Sequence, residues 1–184
     1  LPQVCRHFHV ALQSGCDRTL RRMGRRYDTA AYEEGLRRLR AALPGCAVTT
    51  DVIVGFPGET EEDFADSLAF VERMGFARLH VFPYSRREGT PAARMKEQLP
   101  RAVKRARAQA MGEAGRRLEA AYVASQVGRL SDVLLEEEVA PGRLEGYSGE
   151  YVRVQTPGDA EKLGTISRVR LHPLAQTLLR GEEV

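Results

Sequence analysis

The chain has 184 residues, 42% of them hydrophobic and 29% charged, which is an ordinary globular composition with apolar material for one or two cores. The formal net charge of +3 is too small to demand a polyanionic partner, and no run of about eighteen apolar residues is present, so no membrane partner is expected. The stretch from Leu1 to His9 lacks the basic start and long apolar core of an export signal, so the expected location is cytoplasmic.

Three cysteines, Cys5, Cys16 and Cys46, show no CxxC spacing. Neither a disulfide framework nor a complete metal site can be read from them, and buried free thiols are the ordinary reading. The first residue is Leu1 rather than Met, a few positions before a strand-like run, which suggests a sequence cut from something longer. Five arginines, Arg18, Arg21, Arg22, Arg25 and Arg26, crowd nine positions. They could meet phosphate or carboxylate groups, or they could reflect a general preference for Arg over Lys, since Lys occurs only at positions 96, 104 and 162.

From His7 to Gln13 the sequence alternates, with Phe8, Val10 and Leu12 on one side and His7, His9, Ala11 and Gln13 on the other, as a strand does. Asp28 or Thr29 can cap a helix in which Tyr32, Leu36, Leu39 and Leu43 recur at helical spacing, ending at Pro44-Gly45. A second strand is predicted from Val48 to Val54. Thr60 followed by Asp63 then forms a capping box for a helix with the apolar stripe Phe64, Leu68, Val71 and Met74, stopped by Gly75. A third strand is predicted from Arg78 to Tyr84. This order argues for right-handed crossovers and a parallel sheet. If the apolar sets pack on helices, Gln13, Thr49, Asp51, His80, Phe82 and Tyr84 share the other side, and a polar side suits the lumen of a ligand-holding barrel. Three strands cannot close a barrel, which again points to sequence upstream.

Pro100 opens a long helix to about Gln126, read as a connector, and Gly128 breaks it. Beyond it, short strands near Val133 to Glu137, Tyr151 to Gln155 and Thr165 to Leu171 are separated by turns at Pro141-Gly142, Ser148-Gly149 and Pro157-Gly158. The tail is therefore predicted to be a small all-β domain.

Ligands of parallel β/α folds bind where strands end and loops converge. The three strand ends read Gln13-Ser14-Gly15-Cys16-Asp17, Gly55-Phe56-Pro57-Gly58-Glu59-Thr60 and Tyr84-Ser85-Arg86-Arg87-Glu88-Gly89-Thr90-Pro91. Each holds a glycine for close backbone approach together with groups able to orient a ligand. Taken alone, Gly-Phe-Pro-Gly is more simply a tight strand-to-helix turn with Thr60 as cap. His7, His9 and His80 could form a metal triad, but hydrogen-bonded pocket residues are the plainer reading.

These strand ends, with His7-Phe8-His9, Leu20-Arg21-Arg22-Met23 and Thr50-Asp51-Val52-Ile53-Val54-Gly55, resemble radical S-adenosylmethionine (SAM) methylthiotransferases. Cys16-Asp17 and Leu79-His80-Val81-Phe82-Pro83-Tyr84-Ser85 look like the branch acting on N6-threonylcarbamoyladenosine in transfer RNA. Gly146-Tyr147-Ser148 and Tyr151-Val152-Arg153-Val154 resemble a TRAM domain, a small RNA-binding barrel. Gly24, where Asn is common, and Arg86, where Pro is common, depart from the family pattern.

The resemblance implies an α/β fold: the C-terminal half of a radical SAM (βα)6 partial, TIM-like barrel in residues 1–98, a connecting helix in 99–124, and an all-β, OB-like TRAM barrel in 125–184. It also implies that SAM and two 4Fe-4S clusters serve the intact protein, with the cluster ligands outside this chain, and that the fragment alone is inactive. Within the pocket, Gln13 and Ser14 would contact the ribose or methionine end of SAM, Asp51 and the Gly55 loop its nucleoside side, Phe82 its adenine and Arg25 its carboxylate. Arg87 and Thr90 match the substrate face. Tyr147, Tyr151 and Arg153 could meet RNA or could serve the barrel's own packing. The expected function is methylthiolation of C2 of the modified adenosine in transfer RNA by a monomer. The alternatives are a sister enzyme for isopentenyladenosine or a ribosomal protein, and a non-catalytic RNA-binding module.

Overall fold

A computed structural model describes residues 4–184. They form two compact units: one comprises His9–Pro44 and Val48–Leu118, the other the chain up to Phe8, Gly45–Ala47 and Glu119–Val184.

A sheet of order β1-β2-β3 is formed by β1 (His7–His9), β2 (Ala47–Val54) and β3 (Arg78–Pro83), and the first unit holds His9, Val48–Val54 and all of β3. The β2 and β3 strands run parallel, Asp51 opposite His80 and Ile53 opposite Phe82. The helices are α1 (Asp17–Arg22), α2 (Thr29–Ala42), α3 (Glu61–Met74), the single turn α4 (Pro91–Arg94) and α5 (Arg101–Ser125), of which the part to Leu118 belongs to this unit.

Local sequence accounts for the boundaries. Asp28 accepts the Ala31 N–H at the start of α2, and the Thr60–Asp63 capping box opens α3 in both directions. Gly75 ends α3 at φ 62°, a left-handed geometry that a side chain would resist. One face of β2 presents Val48, Val52 and Val54, all buried, and α5 approaches so closely that a Cβ at Gly115 would lie 3.3 Å from Leu79. Tyr32 of α2 lies near the rings of Phe70 and Phe76, and its hydroxyl donates to the Val10 carbonyl at 2.6 Å. Full burial of side chains such as Leu12, Leu20, Val52 and Phe76 stabilises this unit by roughly 1.5–3 kcal/mol apiece.

The first strand is shorter than its alternation predicts. Pairing stops after His9 and resumes only as a bridge from Gln13 to Val52. Between them, side chains replace the ladder: the Leu12 N–H donates to Thr50 Oγ1, and the Val10 and Leu12 carbonyls accept from Tyr32 and Tyr27. The turn of α1 was not predicted, because six residues are too few to show a period.

The second unit is a closed barrel of order β4-β5-β6-β8-β7: β4 (Leu130–Ala140), β5 (Arg143–Ser148), β6 (Arg153–Pro157), β7 (Ile166–Ala175) and β8 (Leu178–Glu183). Closure removes the exposed strand edges that an open sheet would leave. Val133, Leu135, Leu144, Val152, Val154, Val169, Leu171 and Leu179 fill it, with Val123 from the end of α5. Two strands here, β5 and β8, were not predicted, since Glu and Gly interrupt their alternation. The strand expected from Tyr151 begins at Arg153 instead, because Tyr151 adopts φ 61° in the turn before it. That turn is tied by the Ser148 N–H to the Val152 carbonyl.

Gly146 sits where β4 bulges, and a Cβ there would fall 1.7 Å from the Leu134 carbonyl oxygen. Backbone cannot yield as a side-chain tip can, so Gly146→Ala is expected to cost about 3 kcal/mol or more. Urea unfolding monitored by circular dichroism measures it, and a loss within ~0.5 kcal/mol of wild type would contradict this packing.

Candidate functional site

Within the first unit, the three strand ends carry the polar groups. Gln13 is held to β2 by its own backbone, its N–H donating to the Asp51 carbonyl at 2.8 Å and its carbonyl accepting the Ile53 N–H at 2.8 Å. Its φ of 67° is rare for a residue with a side chain, the kind of local strain that collects at ligand sites. Arg25 donates to Gln13 Oε1 at 3.1 Å. Two residues chosen separately from the sequence are therefore adjacent, and the guanidinium keeps further donors. Ser14 is buried and faces inward along the chain, its hydroxyl accepting the Cys16 N–H at 3.2 Å. It serves the turn.

On the open face of β2 and β3, His9 Nδ1 lies 3.0 Å from Thr49 Oγ1, and its Nε2 lies 3.4 Å from Asp51 Oδ2. His80, opposite Asp51 in register, places its ring 5.8 Å from that of His9. Phe82 is 51% exposed one step further along. The hydrogen bond to Thr49 fixes the His9 ring with its other nitrogen toward the Asp51 carboxylate. Among the described residues, no three His, Cys, Asp or Glu side chains converge in a way that could hold a metal ion. The histidines His9 and His80 belong to this polar face, and His7 is in the other unit.

The loop after β2 folds tightly, Gly55 at φ 70° and Gly58 at φ 77°. Arg22 spans it, donating to the Pro57 carbonyl at 3.0 Å and to Glu97 at 2.8 Å. Arg18 pairs with Asp63 at 2.9 Å. Thus Arg18, Arg22 and Arg25 of the arginine cluster are engaged with neighbouring protein groups. At the third strand end, Thr90 caps α4, its hydroxyl donating to the Arg87 carbonyl at 2.8 Å and accepting from Ala93, while Arg87 is exposed.

Burial pushes the Cys16 thiol up, and it donates to Asp63 Oδ1 at 3.4 Å. Asp63 collects more: burial would raise its carboxyl, but hydrogen bonds from Thr60 and Cys16 and the charge of Arg18 hold it below the ordinary aspartate value. Sequence disclosed the capping role of Asp63 but not its link to the first strand end.

In the barrel unit, register aligns one outward row across four strands. Ile166 of β7 is opposite Leu134 of β4, Leu134 opposite Tyr147 of β5, and Tyr147 opposite Arg153 of β6. Ile166 is 69% and Leu134 42% exposed. Tyr147 stacks on Tyr151 at 4.9 Å, and Tyr151 on His7, which belongs to the same unit, at 4.2 Å. Arg153 is held by the buried Glu145, its Nε donating at 2.7 Å, and Gln155 donates to the same carboxylate at 2.8 Å. Leu134 and Ile166 escaped sequence reading because only the register puts them beside the tyrosines.

Residues 2–71 match the sequence profile of the Radical SAM superfamily. Over 92% of its length the chain is 38% identical to the threonylcarbamoyladenosine tRNA methylthiotransferase MtaB of Bacillus subtilis, of which it covers 38%. The MtaB of Thermotoga maritima is 38% identical over 95% of the chain and 40% of that protein. A tRNA-2-methylthio-N(6)-dimethylallyladenosine synthase of Moorella thermoacetica is 40% identical over 100% of the chain and 42% of that protein. Over nearly its whole length the chain is similar to radical SAM methylthiotransferases. It spans about two fifths of the length of these relatives, and the two named kinds of relative match it equally well, so overall identity does not separate their substrates.

A carboxyl held low in the folded state contributes stability above the unfolded value, 3.8 for aspartate, and loses it as pH falls through that value and the lower folded one. Asp63→Asn is therefore expected to be about 1 kcal/mol less stable at neutral pH. Urea melts at stepped pH should show the gap narrowing toward about pH 3, whereas a gap constant across acid would contradict the assignment.

Proposed function

We propose that this chain is the C-terminal part of a tRNA methylthiotransferase that modifies C2 of N6-threonylcarbamoyladenosine beside the anticodon, with a cofactor rim at the strand ends and an RNA-binding barrel of the TRAM type. The observation that carries the reading is the knitting of Gln13 to β2 with Arg25 on its side chain, next to the open face bearing Asp51 and Phe82.

The residues present fit SAM. Arg25 offers donors to a carboxylate, Gln13 and Asp51 offer acceptors to amine and ribose hydroxyl groups, and the exposed ring of Phe82 offers a stacking face. In this chemistry SAM supplies both the radical and the methyl group. An iron-sulfur cluster does not fit: Cys16 and Cys46 are buried, Cys5 is exposed, and they form no metal-holding group among the described residues. As the resemblance implies, the cluster ligands of the proposed enzyme lie in polypeptide outside this chain.

For the substrate, Cys16-Asp17 and the Leu79-to-Ser85 stretch support the threonylcarbamoyl branch by resemblance. The 40% identity to a dimethylallyladenosine synthase supports the sister reading. Nucleoside analysis of transfer RNA from a strain lacking the gene decides between them. Accumulation of unmethylthiolated threonylcarbamoyladenosine is expected; accumulation of isopentenyladenosine would transfer the assignment to the sister activity, and no change in either would overturn the enzyme reading.

On the barrel, Tyr147, Tyr151 and Leu134 supply sequence-tolerant contact to bases, since a base–aromatic stack contributes about 1–3 kcal/mol. Tyr147→Ala with Tyr151→Ala is expected to weaken binding of transfer RNA to the whole chain by about tenfold or more, with wild-type binding falling steeply as salt rises. Filter binding measures both, and an unchanged affinity would remove this surface from the proposal.

A further inference from the structure

The helix α5, read from sequence as a connector, does more in its first two turns. Lys104 and Arg107, three apart and so on one helical face, reach the loops after β2 and β3. The Lys104 stem lies on Gly55, where a Cβ would fall 2.4 Å from Lys104 Cγ. Its ammonium donates to the Tyr84 carbonyl at 3.1 Å and lies 5.5 Å from the Tyr84 ring centroid. Tyr84 in turn donates its N–H to the Val54 carbonyl at 2.8 Å.

Arg107 approaches the same loop from within. Its side chain is 7% exposed, and NH1 donates to the Glu59 carbonyl at 3.0 Å and to Glu59 Oε1 at 2.8 Å, while NH2 donates to Glu61 at 2.9 Å. Glu59, 2% exposed, uses that same Oε1 to accept the Gly55 N–H at 2.9 Å. Burial pushes the Glu59 carboxyl above the ordinary glutamate value, and the Gly55 N–H and Arg107 offset only part of that rise. Gly55 is thus held twice, through its N–H by Glu59 and against its α-carbon by the Lys104 stem. A buried ion pair is a poor source of net stability compared with an apolar pair of the same volume. What it supplies here is a defined loop shape, because its donors are aimed at particular backbone atoms.

We propose that Lys104 and Arg107 are positioning residues that set the Gly55–Thr60 loop in the shape that takes the nucleoside of SAM. This rests on the reading of the strand ends as the cofactor rim. A loop already in its bound shape spares the ligand the cost of ordering it.

The test uses the intact protein with Lys104→Met, which keeps the stem and removes the ammonium, and Arg107→Lys, which keeps the charge and removes the fork. Equilibrium SAM affinity and amide hydrogen exchange are read together. Each variant is expected to bind SAM about tenfold more weakly and to exchange faster in residues 55–60, with β2 exchange unchanged. Should Arg107→Lys fail to fold, Lys104→Met alone carries the test. Wild-type affinity in the variants, with or without faster exchange, would overturn the positioning role while leaving the rim reading intact. A wild-type protein that does not bind SAM would overturn the rim reading, and the role assigned to the two residues with it.

Discussion

Two backbone hydrogen bonds hold the candidate site together: the Gln13 N–H to the Asp51 carbonyl and the Ile53 N–H to the Gln13 carbonyl. They rejoin the first strand to β2 after the ladder has lapsed, and they do so with Gln13 in a left-handed conformation. That geometry puts the Gln13 amide within reach of Arg25 and leaves Asp51, His80 and Phe82 on the uncovered face. The remaining strand-end interactions support this arrangement. Ser67 accepts the Gly15 N–H, Arg22 straps the Gly55 loop, and Glu59 receives the Gly55 N–H.

Much of this was legible in the residues. The valines of β2 and the polar set that includes Asp51 and His80 separate by parity alone, and Thr60 with Asp63 announces its helix start because capping chemistry is local. The extent of the first strand was not legible, because what ends its pairing is a set of side chains far along the chain, Thr50, Tyr27 and Tyr32. The same holds for Glu59 and Arg107, forty-eight residues apart, whose pairing no local pattern announces. In the barrel, β5 was hidden because Glu145 and Gly146 interrupt its alternation. Glu145 is buried under Arg153 and Gln155, and Gly146 is there to admit the Leu134 carbonyl.

The two units divide the chemistry by type. The strand ends carry polar and charged groups, whereas the barrel row from Ile166 to Arg153 offers apolar and aromatic area with a cation at its end. Among the described residues, no group of His, Cys, Asp and Glu side chains could hold a metal ion.

The most direct test of the account is a crystal structure of the intact protein with SAM bound. The SAM carboxylate is expected within hydrogen-bond distance of Arg25, its ribose or amine at Gln13 and Asp51, and its adenine against Phe82. SAM bound with none of these four residues in contact would contradict it.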